Sequence, residues 1–164
     1  MEAKIGKRHY KLREPDDIDR KIINIMVKNA RIKLTGLAKE IGLSVDSTKK
    51  RLQRLENDKV VSRYTIQVDV DKMGLPLGVH IYVKLKDMTR EKYNALIEDL
   101  MRNPRVIDLM GMIGDYDLYV VFLAKDTYEM DEMKMELRQK FGSIIGDWKE
   151  VVVSKVYKLE EYKF

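Results

Sequence analysis

The stretch Leu37-Ala38-Lys39-Glu40-Ile41-Gly42-Leu43-Ser44 constrains this chain more than any other, because Val45-Asp46-Ser47-Thr48-Lys49-Lys50-Arg51-Leu52-Gln53-Arg54-Leu55 follows it at once. It reads as a short apolar helix, a glycine turn, a serine cap and a second helix with one basic face. Ala38 is small enough for two helices to cross closely. Gly42 can take the positive φ of a tight interhelical turn, and Ser44 can accept from an orphan N–H of the next helix. Together these features predict a helix-turn-helix, a motif whose second helix enters the DNA major groove.

On that second helix Val45, Thr48, Leu52 and Leu55 recur at helical spacing and predict one inward stripe. At about 100° per residue, Lys50 lies nearly opposite, flanked by Asp46, Ser47, Gln53 and Arg54. Ser47 and Gln53 are types that read base edges, and Lys50 can meet guanine O6 or N7. Asp46 is placed to accept from a cytosine N4 or to share the cap with Ser44. Lys49, Lys50 and Arg51 form a basic cluster, with Arg51 at the boundary where it could reach a phosphate. Thr35, expected as the N-cap of the preceding helix, also faces a phosphate in this reading.

Charge is unevenly distributed. Residues 1–69 hold 17 Lys and Arg against 10 Asp and Glu, whereas residues 70–164 hold 15 against 17. The whole net charge of +5 therefore lies in the N-terminal part, as in a polyanion-binding module joined to a near-neutral one. Cysteine is absent, so no disulfide framework or thiolate chemistry is available. Neither a membrane-length apolar run nor a signal-peptide core is visible. The expectation is a cytoplasmic protein with no membrane association, no metal and no cofactor.

Four segments follow. Residues 1–13 carry Lys4, Lys7, Arg8, Lys11 and Arg13 and read as a basic arm, either laid along phosphates or merely solubilising. Residues 14–62 form the helix-turn-helix domain. Its first helix starts after Pro15, with Asp16, Asp17 and Asp19 at the positive end and Ile18, Ile22, Ile25 and Met26 inward. Residues 63–75 are strand and linker; Val60 to Asp69 has β character, as a wing or an exit strand. Met73-Gly74-Leu75-Pro76 marks the boundary.

Residues 76–164 alternate strand and helix signals. Val79, Ile81, Val83 and Leu85 alternate as a half-buried strand. Tyr93, Leu96, Ile97, Leu100 and Met101 recur as a helix ended by Asn103-Pro104. Val106 to Ile113 and Asp117 to Ala124 read as a hairpin around Gly114-Asp115-Tyr116. Met130, Met133, Leu137 and Phe141 form a second helical stripe, and Asp147 to Lys158 a last strand. The order βαββαβ predicts a ferredoxin-like sheet with both helices on one face. The fold class is thus α+β, two-domain. The uncovered sheet face carries apolar residues too, and the simplest partner for it is a second copy. Dimerisation also supplies the paired recognition helices that such motifs use.

Asp-Asp-Ile-Asp-Arg-Lys-Ile (16–22), Leu-Ala-Lys-Glu-Ile-Gly-Leu-Ser, Arg-Leu-Gln-Arg-Leu-Glu and a βαββαβ domain with Gly-Asp-Tyr-Asp resemble the Lrp/AsnC (leucine-responsive, feast/famine) family, from about Asp16 to Lys158. The resemblance implies a bacterial or archaeal transcription regulator, with archaeal the expectation here. It implies dimers through the C-terminal sheets, often assembled to octamers, and an amino-acid effector at a dimer–dimer contact beside Gly114-Asp115-Tyr116-Asp117. Several positions depart from the pattern. Thr48 stands where a larger apolar residue is usual, and Lys59 where a glycine is. At the effector positions Met112 and Ile113 replace the usual hydroxyl residues of the loop, and Trp148 and Glu150 those of the last strand. Burying a free amino acid's charges unpaired is costly, and Met and Ile offer them nothing. Either the specificity has changed, with Glu150 facing an amine, or Trp148 and Met112 fill the pocket and make it an assembly contact. Asp115 and Asp117 can also serve simply as turn residues that bond their own backbone.

Two other classes share parts of this pattern. Siroheme decarboxylases share the architecture, but His9 and His80 are the only histidines. No catalytic residues, phosphate-binding glycine loop or metal-spaced cluster are present. An architectural DNA-coating protein would use the same cations, since phosphate contacts carry no sequence information. Lys50→Ala separates the two: it lowers preference for one site in a specific reader and weakens all sequences alike in a coating protein.

Overall fold

The computed structural model describes residues 14–159 and 162–164; the expected basic arm, 1–13, lies outside them. The chain forms two compact units. One extends to Ile66 and includes Lys158–Phe164, and the other spans Gln67–Tyr157.

The first unit holds α1 (Asp17–Lys28), α2 (Leu34–Ile41) and α3 (Val45–Asn57). α1 opens with a reciprocal capping box: Asp16 Oδ1 accepts from the Asp19 N–H at 3.0 Å, and Asp19 Oδ2 from the Asp16 N–H at 3.3 Å. α2 ends at Gly42, whose φ of 77° turns the chain sharply toward α3. Ile22, Leu37, Ile41 and Leu55 are buried at the centre, with Ile18, Ile25, Met26, Leu43 and Leu52 packed around them. Thr48 is completely buried and its hydroxyl donates to the Ser44 carbonyl at 2.8 Å, which is how a polar residue fits this core position.

Three expectations change here. α2 starts at Leu34 with Lys33 as its cap residue and no side-chain cap bond, so Thr35 is the second helical residue and is exposed. Val45, first residue of α3, is 44% exposed; at the helix start it precedes the turn that meets the core. Residues 62–69 form no strand, and Tyr64, Ile66 and Val68 are exposed. A strand needs a neighbour to accept its ladder bonds, and this segment has none within one chain. The Tyr64 hydroxyl instead donates to Glu56.

The second unit is a βαββαβ domain: β1 (Leu77–Leu85), α4 (Arg90–Arg102), β2 (Val106–Gly111), β3 (Leu118–Ala124), α5 (Thr127–Phe141) and β4 (Ile145–Val152). The sheet is antiparallel in the order β2-β3-β1-β4. Val79, Ile81, Val83, Leu118, Val120 and Phe122 point to the face covered by Leu96, Leu100, Met130 and Leu137 of the helices. β4 is shorter than expected and ends at Val152. Lys158–Phe164, assigned by sequence to this domain, belong to the helical unit. The opposite face presents His80, Tyr82, Tyr119, Val121, Met110 and Val151 by register. The Tyr119 hydroxyl and His80 Nδ1 are hydrogen-bonded at 2.5 Å, and the Tyr82 ring lies 5.3 Å from that of Tyr119. His80 is thus a sheet residue, as its strand position suggests.

Candidate nucleic-acid interface and effector turn

α3 is built to present one polar face. Ser44 Oγ accepts from the Ser47 N–H at 3.2 Å, and the two hydroxyls are hydrogen-bonded at 2.9 Å. Asp46 therefore does not share the cap; its carboxylate lies 2.8 Å from Lys50 Nζ, one turn on. That hydrogen bond, and then the charge of Asp46, raise the Lys50 ammonium above its ordinary pKa. Both side chains are more than 70% exposed, and such a pair contributes little in water, so it separates cheaply when another partner approaches. Ser44, Asp46, Ser47, Lys49, Lys50 and Gln53 are all exposed. Among them are the types that read base edges and hold phosphates.

Arg51 and Arg54, expected among the DNA contacts, are engaged by carboxylates at the start of α1. Neither points to solvent as a free cation. Arg51 Nη1 lies 2.9 and 2.8 Å from the two Asp16 oxygens and 2.9 Å from Asp19 Oδ1. Arg54 Nη2 lies 3.0 and 2.8 Å from the two Asp19 oxygens. Asp19 is 2% exposed. Asp16 first, and then Asp19, raise the pKa of the Arg51 guanidinium. The physical reason is geometric: residues three apart share a helix face, and here that face meets the capping box of α1. A sequence signal for this pairing was present, an acidic i,i+3 pair on one helix and a basic i,i+3 pair on another. Removing either arginine leaves a buried carboxylate short of a partner. The cost is about 3 kcal/mol, the low end for a buried pair, because the arginines keep some contact with water.

The β2–β3 turn brings residues 112–117 together. The Met112 N–H donates to the Asp117 carbonyl at 2.8 Å and the Asp117 N–H to the Val83 carbonyl at 2.9 Å. Asp117 Oδ2 accepts from the Leu85 N–H at 2.7 Å, with Lys84 Nζ at 3.6 Å. Asp117 thus has the backbone-bonding role available to a turn aspartate. Ile113 is fully exposed, Gly114 and Asp115 are exposed, and Tyr116 packs beside Tyr82 with ring centroids 5.7 Å apart. Trp148 and Glu150 are placed differently. They sit opposite Val83 and Ile81 in register, on the helix-covered face. Trp148 packs against the core, its Nε1 donates to Glu150, and the Arg138 guanidinium lies 5.5 Å over its ring. Lys134 Nζ is 3.0 Å from Glu150. The amine that Glu150 faces is therefore the chain's own, and Trp148 is anchored to α5.

One feature of the helical unit had no sequence signal. Asn24 Nδ2 donates to the Phe164 carbonyl oxygen at 2.7 Å and Asn24 Oδ1 accepts the Phe164 N–H at 2.9 Å. Phe164 flanks a groove of about 470 Å³ along α1 that Arg20, Lys21, Lys28 and Glu40 also line. Among the described residues no His, Cys, Asp and Glu group is placed to hold a metal, and no helix is long and apolar enough to cross a membrane.

Residues 16–56 match the model of the AsnC-type helix-turn-helix domain. The chain is 29% identical over 145 residues to the HTH-type transcriptional regulator FL11 of Pyrococcus furiosus, covering 87% of this chain and 91% of that one. The fold matches an AsnC family transcriptional regulator from Agrobacterium tumefaciens with a TM-score of 0.79 at 24% identity, covering 88% and 93% of the two chains. It also matches a Neisseria meningitidis transcriptional regulator solved as its L-Met complex, with a TM-score of 0.79 at 21% identity over 88% and 92%. The relatives are named as regulators, not as decarboxylases. Residues 16–56 thus form an AsnC-type helix-turn-helix domain, in a chain that is similar along most of its length to transcriptional regulators and shares the two-domain fold of AsnC family structures.

Proposed function

We propose that the protein is a sequence-specific transcription regulator that acts in the cytoplasm as a dimer or higher oligomer, with α3 reading the major groove of double-stranded DNA. The exposed row Ser47, Lys50 and Gln53 on a capped helix carries this reading. Thr35 and Ser44, at the starts of the two helices, and Lys49, one turn into α3, serve as phosphate contacts. The engagement of Arg51 and Arg54 by carboxylates favours reading over coating, because it withdraws two of the cations that a coating protein would lay on phosphates. The apolar and aromatic outer face of the sheet suits a second copy.

An amino acid bound by the related Neisseria meningitidis regulator supports an effector here too. Its site in this reading is the turn formed by residues 112–117. Asp115 would meet an ammonium, and the backbone N–H groups around Gly114 a carboxylate. Met112 and Ile113 would supply apolar contact or an assembly surface.

The test is selection of duplexes from a random pool, followed by guanine-N7 methylation interference on the enriched sequence. The expected result is a two-fold symmetric site whose guanines, when methylated in the major groove, block binding. A pool that yields no consensus contradicts specific reading and favours coating. Light scattering with and without each L-amino acid tests the turn: a mass shift that Asp115→Ala abolishes supports it, and no shift with any amino acid removes the effector.

A further inference from the structure

We infer that Asp19 is a positioning residue for DNA recognition, which acts through Arg51 and Arg54 to set the rotation of α3 about its own axis. The inference rests on the reading that α3 contacts bases. α3 is anchored to the core along one stripe: of its 13 residues Thr48 and Leu55 are buried, and Leu52 packs between them against the same core. Contacts confined to one stripe hold the helix down along a line and resist rolling about that line weakly. Arg51 and Arg54 lie to one side of the line, on the face turned toward the start of α1. Each guanidinium ends on the same carboxylate, Asp19, at 2.9 Å and 2.8 Å.

Asp19 is itself held. Its side chain accepts from the Asp16 N–H, and its own N–H donates to Asp16. The α1 cap and the α3 clamp are therefore one network, in which Asp19 and Arg54 meet across 35 residues of sequence. Asp16 adds a second carboxylate to Arg51. Because a guanidinium is planar and forked, it fixes direction as well as distance. A lysine in its place keeps the charge and loses the fork. Rolling α3 by a fraction of a turn would swing Ser47, Lys50 and Gln53 off the base edges, while exposed cations on flexible stems would still find phosphates. The clamp thus bears on discrimination more than on total affinity.

The experiment uses the full-length protein, its selected duplex and a scrambled duplex, with affinity measured across a salt series. Arg54→Lys and Arg51→Lys are the main variants, and Asp19→Asn the more disruptive one. In the expected result both lysine variants lose about tenfold or more of the preference for the selected duplex. Binding to the scrambled duplex and the slope of log affinity against log salt stay unchanged. If the arginines are phosphate contacts instead, the lysine variants keep full preference. Arg54→Ala then weakens both duplexes equally and lowers the slope by about one, and the proposal is overturned. Wild-type protein that prefers neither duplex overturns the base-reading role of α3 and the positioning role with it. Preserved wild-type preference with insensitive arginine variants overturns the positioning role alone.

Discussion

Asp117 Oδ2 accepts the backbone N–H of Leu85 at 2.7 Å, a bond that ties the end of the β2–β3 turn to the last residue of β1. It is reinforced by the Asp117 N–H, which donates to Val83 at 2.9 Å. The two aspartates of the Gly-Asp-Tyr-Asp turn therefore divide their roles: Asp117 is bound to the sheet, while Asp115 stands exposed.

This division predicts opposite outcomes for two substitutions. Asp117→Ala removes a charged acceptor from a part-buried N–H and lowers stability by about 1.5 kcal/mol. Asp115→Ala leaves stability within about 0.5 kcal/mol and shows its effect in assembly or effector response. Urea denaturation of both variants beside light scattering measures each; equal stability losses would contradict the division.

Lys59 provides a second prediction. It follows α3 with φ at 58°, in the left-handed region that glycine occupies without strain. The strain of that conformation therefore falls on a side chain with a Cβ. Lys59→Gly relieves a left-handed penalty of about 1–2 kcal/mol against a glycine entropy cost of about 0.5–1 kcal/mol. The net expectation is a gain of about 0.5–1 kcal/mol, read as a higher thermal midpoint. A lower midpoint would contradict it.

The two-domain order was legible because its signals are local and periodic. Ile22, Leu37 and Leu55 in one core and Val79, Ile81 and Val83 on one sheet face follow from residue spacing alone. Gly42 announced its own turn, and the exposed face of α3 followed from the inward stripe. What could not be read was long-range and ionic. Arg51 and Arg54 look like DNA contacts until Asp16 and Asp19, more than 30 residues away, are seen to hold them. Trp148 and Glu150 sit near the turn in a family pattern, yet their register with Val83 and Ile81 sends them toward α5. Residues 62–69 carry strand composition, but pairing is a property of two segments and one sequence shows only one of them.

Acid titration supplies a third prediction. Glu129 is held below its ordinary pKa of 4.5, first by the Lys125 backbone N–H and then by Arg105. A carboxyl with a lowered folded-state pKa contributes stability in full above its unfolded value, and loses it as pH falls through the folded value. Glu129→Gln is therefore expected to reduce the fall in thermal midpoint below about pH 4.5 while it lowers the midpoint at neutral pH. An unchanged acid limb in the variant would contradict the assignment.

The central claim is that α3 reads DNA sequence, and fluorescence anisotropy tests it most directly. The protein is titrated onto a duplex from the region upstream of its own gene and onto a scrambled duplex of equal length, across a salt series. The expected result is a preference for the native duplex that persists as salt rises and shrinks in Lys50→Ala. Equal binding to both duplexes, lost together as salt rises and weakened alike by Lys50→Ala, would contradict it.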